Sequence, residues 1–229
     1  MKKFTLYPVL LAILALPALS LAESADPGAY MTGFIGIHVP VDSNASSTNF
    51  VTGKSYYDKV NFDPGLNIGA AGGYDFGVFR MEGELSYKNA EIKSINDQVT
   101  GERFHNAAGD VGVLALMFNG FMNLYNESPV TPYLGGGIGF ATVHLSDTHG
   151  TRIVSGSPQR VLLYGAGDDT VFAYQIGGGV DIAVKRRFSL DIGYRYFSAN
   201  HADIDSDQAI LTNLGFRSHT TMLGFKFKY

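Results

Sequence analysis

The chain reads as an all-β protein, an eight-stranded antiparallel up-and-down transmembrane β-barrel, and three observations predict it. Eight segments alternate apolar and polar side chains with a period of two, the signature of a strand with two different faces. The connections between these segments are alternately short and long, as in barrels with tight turns at one end and large loops at the other. The first residues have the build of an export leader.

The leader comes first. Met1, Lys2 and Lys3 are followed by an apolar stretch over residues 4–19 and then by Ser20, Leu21 and Ala22, which places a signal peptide at 1–22 and a single barrel domain at 23–229. After it the longest apolar run, residues 111–118, has the length of a strand and falls short of the roughly 20 residues a spanning helix needs.

The first strand is expected at 29–40, with its inward face left open because Tyr30 and Phe34 compete with Ile35, Ile37 and Val39. The second, 66–76, sets Leu66, Ile68, Ala70, Tyr74 and Phe76 against Asn67, Gly69, Ala71, Gly73 and Asp75. In the third, Phe79, Met81, Gly83, Leu85 and Tyr87 alternate with Arg80, Glu82, Glu84, Ser86 and Lys88. The fourth spans 110–124, and the fifth opposes Leu134, Ile138 and Phe140 to Tyr133, Gly135, Gly137 and Gly139. The sixth has Phe172, Tyr174, Ile176, Val180, Ile182 and Val184 opposite Gln175, Gly177, Gly179 and Asp181. The seventh has Phe188, Leu190, Ile192, Tyr194 and Tyr196 opposite Ser189, Asp191, Gly193 and Arg195. The eighth, 221–229, puts Thr221, Leu223, Phe225, Phe227 and Tyr229 on one face and Met222, Gly224, Lys226 and Lys228 on the other. Short links fall around Gly77, at 125–131 and at 185–187; the long ones, expected as outer loops, are 41–63, 90–109, 146–170 and 198–217.

A soluble exported barrel shows the same alternation with its apolar face inward. Glycine placement favours the membrane form: Gly69, Gly73, Gly135, Gly137, Gly139, Gly177, Gly179, Gly193 and Gly224 fall mainly on the parity of the charges. A solvent-facing surface gains nothing from them, whereas a narrow lumen gains room for long side chains. Tyr74, Tyr87, Tyr125, Tyr194, Tyr196 and Tyr229 are then placed for the headgroup boundary. With 17 basic against 21 acidic residues the chain is a poor nucleic-acid binder, and with no cysteine it relies on no disulfide.

The leader, the eight strands and the aromatic end Phe225, Phe227, Tyr229 resemble the small outer-membrane barrels grouped with the transmembrane domain of OmpA, OmpX, the opacity proteins and the rickettsial surface antigens. Further echoes are Ala29, Tyr30, Met31, Thr32 and Gly33 and the runs 80–87, 131–137 and 172–181. The resemblance implies a Gram-negative outer-membrane protein, not an enzyme, with a structural, adhesive or antigenic role carried by its four outer loops. The partners it implies are outer-membrane lipids and lipopolysaccharide, the barrel-assembly machinery through the C-terminal strand, and a host or cell-surface partner at the loops. Alternatives are a narrow ion or small-solute channel, a lipid A deacylase and a soluble lipocalin-like carrier.

Candidate sites follow from the strand faces. Arg80, Glu82, Glu84, Lys88, Asp181, Asp191, Arg195 and Lys226, with Lys228, form an inward set of both signs, expected to neutralise itself and plug the lumen. Val161, Leu162, Leu163 and Tyr164 in the third outer connection are a candidate contact patch, a strand extension or a flap over the lumen; Phe50, Tyr56 and Tyr57 are further contact candidates. His144 and Ser146 resemble the active pair of the deacylases but lack a well-placed third group. Asp203, Asp205 and Asp207 begin like a calcium loop, with Gln208 where the turn glycine belongs. Gly135, Gly136, Gly137 and Gly139 precede no helix and make no nucleotide fingerprint. No catalytic, cofactor or metal residues are assigned.

Overall fold

The computed structural model describes residues 27–49, 53–97, 103–124, 128–154, 157–206 and 210–229. The leader predicted over 1–22 lies outside them. The strands are β1 Gly28–Pro40, β2 Ser43–Asn49, β3 Lys54–Phe62, β4 Gly65–Asp75, β5 Phe79–Asp97, β6 Arg103–Ala108, β7 Asp110–Asn123, β8 Val130–Leu145, β9 Thr148–Val154, β10 Ser157–Tyr164, β11 Gly167–Lys185, β12 Phe188–Ser206 and β13 Ile210–Lys228. Eight of them close a ring through antiparallel pairs in the order β1, β4, β5, β7, β8, β11, β12, β13 and back to β1. Closure satisfies the backbone groups of every strand without leaving an edge in lipid. Both ends of the described chain lie at the end with the tight turns, the periplasmic end of such a barrel. One of those turns is made possible by Gly77, whose φ of 100° a side chain would oppose.

The eight expected strands are the eight of the ring. The first now has a definite orientation: Tyr30, Phe34 and His38 are buried in the lumen while Ile35, Ile37 and Val39 face outward. Phe225, Tyr229, Leu223, Ile138, Phe140 and Ile176 likewise face outward, forming the apolar belt that lipid requires. Tyr74, Tyr87, Tyr194 and Tyr229 are exposed at its margins, and Tyr125 lies outside the described residues.

The four outer connections differ from expectation. Residues 41–63, 90–109, 146–170 and 198–217 are mostly strand: β2 and β3, the ends of β5, β12 and β13, and β6, β9, β10 and the start of β11. β2 adds to β13 and β3 to β5, so the first hairpin continues the wall upward from β1 and β4. β6 and β9 continue it from β5. Strands of 19 residues such as β12 and β13 reach about 60 Å at about 3.3 Å per residue. Tilted by about 40°, they rise about 45 Å against an apolar band of about 25 Å, so a large fraction stands clear of the membrane.

What holds the extension up is a reversal of the strand pattern. Within the belt β5 is apolar outside and charged inside; from Asn89 onward Asn89, Glu91 and Lys93 face out while Ala90, Ile92 and Ile95 are buried. Val60, Phe62, Val111, Val113, Val143, Leu145, Ile204, Leu214 and Phe216 join them in one apolar cluster. Above the membrane the exterior meets water and the interior becomes the dry side, as in a soluble barrel.

The lumen and the extension as candidate functional site

The inward charges converge because β5, β11, β12 and β13 present them at matching heights of the ring. At mid-height Arg195 pairs with Glu84 and, at 3.4 Å, with Glu82. Asn119 donates to Glu84 at 2.9 Å and to Glu82 at 3.2 Å, Gln175 donates to Glu84 at 3.1 Å, and the Tyr30 hydroxyl donates to Glu82 at 2.7 Å. Arg195 also lies over the Phe121 and Phe34 rings. Both carboxylates thereby gain several charge-assisted partners, the condition under which buried ions are tolerated.

Nearer the periplasm, Arg80 lies 3.6 Å from Asp181 and 4.0 Å from Asp191, with its guanidinium 4.1 Å from the Tyr133 ring centre. Tyr133 donates to Asp191 at 2.8 Å, and Lys226 pairs with Asp181. Lys228 pairs with Asp75 at 3.3 Å. Toward the exterior, Lys88 is 3 % exposed, donates to the Ser86 hydroxyl at 3.1 Å and sits 4.3 Å from the Phe197 ring. It faces the apolar cluster, so its compensation is aromatic and hydroxylic rather than ionic.

Asn119, Gln175, Tyr30 and Tyr133 complete this network, and sequence reasoning did not single them out as its members. For Asn119, Gln175 and Tyr133 the signal was inward parity, shared with the charges, whereas the face of Tyr30 was left open by its strand. Inward glycines supply the space: a side chain at Gly137 would press on the Asn119 side chain, and one at Gly177 would meet Arg195 Cγ at 3.0 Å. One at Gly179 would meet the Tyr133 hydroxyl at 2.7 Å.

The candidate contact patch is strand β10, and its residues diverge. Tyr164 is buried and donates to Asp58 at 2.5 Å, and Leu163 packs against the apolar cluster. Tyr164 and Leu163 therefore belong to the interior of the extension, which corrects the contact-patch reading for these two residues and agrees with the strand-extension reading offered beside it; an aromatic ring and a leucine are held there by burial that local sequence does not display. Leu162 is half-buried, and the Val161 side chain lies outside what is described. In the first hairpin Tyr57 is 56 % exposed, whereas Phe50 and the side chain of Tyr56 lie outside the described set.

The remaining motifs are accounted for locally. Ser146 accepts from the Asp110 amide at 2.7 Å, and His144 is exposed on the outer face. Asp203 accepts from Asn213 at 2.6 Å, while Asp207 lies outside the described residues. Among the described residues no group of three or more histidine or carboxylate side chains is arranged to hold a metal.

Comparison with known proteins agrees with this architecture. A family model described as the outer membrane protein beta-barrel domain matches residues 9–227. Outer membrane protein PagN of Salmonella typhimurium is 27% identical over 234 residues, covering 93% of this chain and 94% of that protein. An uncharacterised protein of Brucella abortus is 25% identical over 204 residues, covering 76% of this chain and 72% of its own length. Among solved structures, the outer membrane protein OprG from Pseudomonas aeruginosa superposes with a TM-score of 0.57 at 16% identity, over 90% of this chain and 97% of that one.

Proposed function

Since the chain belongs to the outer membrane protein beta-barrel domain family and is an outer-membrane surface protein, we propose that its work is contact at the cell surface, without catalysis, through the outer faces of the extended hairpins. The observation that carries this is the combination of a filled lumen with strands that continue past the lipid belt onto their own apolar core. A channel needs an open path, and the Arg195, Glu82 and Glu84 layer with the apolar cluster above it fills the interior. A surface protein needs a rigid stalk that holds its tips beyond lipopolysaccharide, which a packed β-extension supplies.

The partners in this reading are the surrounding outer-membrane lipids and lipopolysaccharide, the assembly machinery through β13, and a host or neighbouring cell surface at the hairpins. The test is attachment of bacteria displaying the protein to cultured host cells. Replacing the exposed Tyr57 and Arg160 by alanine lowers attachment at least about fivefold if each contact is worth about 0.5–1 kcal/mol, while the barrel's heat-dependent gel shift stays intact. Attachment unchanged by these substitutions and by removal of the protein would discard the adhesive role.

A further inference from the structure

At the periplasmic end of the barrel a cavity of about 340 Å³ is lined by Asp75, Arg80, Asn123, Thr131, Asp181, Ala183, Lys185, Arg186, Arg187, Phe188, Ser189 and Lys228. Its charges are unbalanced, with five cations facing two carboxylates. Both carboxylates are engaged by lysines, Asp75 by Lys228 and Asp181 by Lys226. Among the described residues Lys185, Arg186 and Arg187 make no ion pair.

The roof adds an independent observation. Arg80 is 4 % exposed, its Nε has no hydrogen-bond partner, and its two ion-pair distances exceed ordinary hydrogen-bond length. Its Nη1 and Nη2 groups stand farther from both carboxylates than a hydrogen bond reaches, and so retain donors for an acceptor in the cavity that Arg80 lines. Because the lumen is filled above this level, the cavity is a blind pocket for a ligand and not the mouth of a pore.

We infer that this vestibule binds a phosphate group, and specifically the headgroup of an anionic phospholipid in the periplasmic leaflet. Guanidinium groups match phosphate oxygens in bidentate fashion, which favours phosphate among anions. Position favours the lipid. Arg186 and Arg187 form the turn that follows Val184 and precedes Phe188, two side chains exposed on the lipid face, and the Phe188 ring packs at a tilt on Phe227 with centroids 5.0 Å apart. The cations thus sit at the depth where headgroups lie, below the apolar belt and next to its aromatic margin.

The experiment uses the full-length protein in a neutral detergent, with native mass spectrometry and titration of short-chain phosphatidylglycerol, short-chain phosphatidylcholine and glycerol 3-phosphate. Saturable binding of one phosphatidylglycerol, stronger than that of phosphatidylcholine, is expected. The turn variant Arg186→Ser with Arg187→Ser weakens it by about fivefold per cation, hence about twenty-five-fold for the pair. These side chains are exposed, so the variant keeps the folded gel mobility that certifies the barrel. Glycerol 3-phosphate binding as tightly as the lipid would overturn the lipid assignment in favour of a soluble phosphate ester. Equal retention of the two lipids would overturn the assignment to an anionic headgroup, and a turn variant that binds like the wild type would overturn the phosphate site itself.

Discussion

Arg195 shows how one side chain decides the state of the interior. It touches Glu82 and Glu84 together, and the two carboxylates are held close to each other by Asn119, which donates to both. Arg195→Ala leaves two buried carboxylates without their shared cation, so it is expected to cost about 3–5 kcal/mol. Urea unfolding in lipid vesicles measures this. Removing partner and cation together, Arg195→Met with Glu84→Met, costs less than the sum of the two single changes, and a double-mutant cycle in which the costs simply add would count against a coupled network. Steric limits act at the same scale. Gly137→Val places a branched side chain against Asn119 and the neighbouring Phe118 carbonyl, and it is expected to reduce the folded, heat-modifiable band sharply. The parity of these residues was legible in the sequence, because a strand's faces alternate by geometry alone. Who pairs with whom was not: Gln175 reaches Glu84 across a ring whose curvature no single strand reports.

Strand β5 carries the lesson at the level of the element, since one continuous strand serves two environments. Its outward face runs Met81, Leu85, Tyr87 and then Asn89, Glu91, Lys93, while its inward face runs Glu82, Glu84, Lys88 and then Ala90, Ile92. This phase reversal was present in the sequence and could have located the water line. Residues 90–109 read as a loop because their polar outer face resembles one and their apolar partners lie far away in sequence. Two predictions separate the halves. Leu223→Arg, on the lipid face of β13, is expected to cost about 2–4 kcal/mol if it lies near the midplane, again measured by urea unfolding in vesicles. Val60→Asp, in the core of the extension, is expected to make the β2 and β3 hairpin a site of rapid cleavage by external protease while the membrane-embedded fragment keeps its heat-dependent mobility. Loss of the whole barrel on Val60→Asp would mean that the two halves fold as one cooperative unit.

For the molecule as a whole, the closed ring predicts that unboiled protein in detergent migrates differently from boiled protein, and the filled lumen predicts silence in planar bilayers. Steady single-channel openings from the purified wild type would refute the sealed interior and restore the channel reading. The number of strands in the ring and the distinction between lipid and lumen faces were determined by the sequence alone. They depend on local quantities: a period of two, the length of a connection, the place of a glycine. The height of the wall, the apolar core above the membrane, the burial of Tyr164 and the vestibule with its surplus of cations were decided only by tertiary structure. Each of these arises where strands distant in sequence come into register, as β3 does with β5 and β6 with β9. A side chain there becomes core or surface according to what the neighbouring strand supplies, and that neighbour is chosen by closure of the ring rather than by anything in the strand itself.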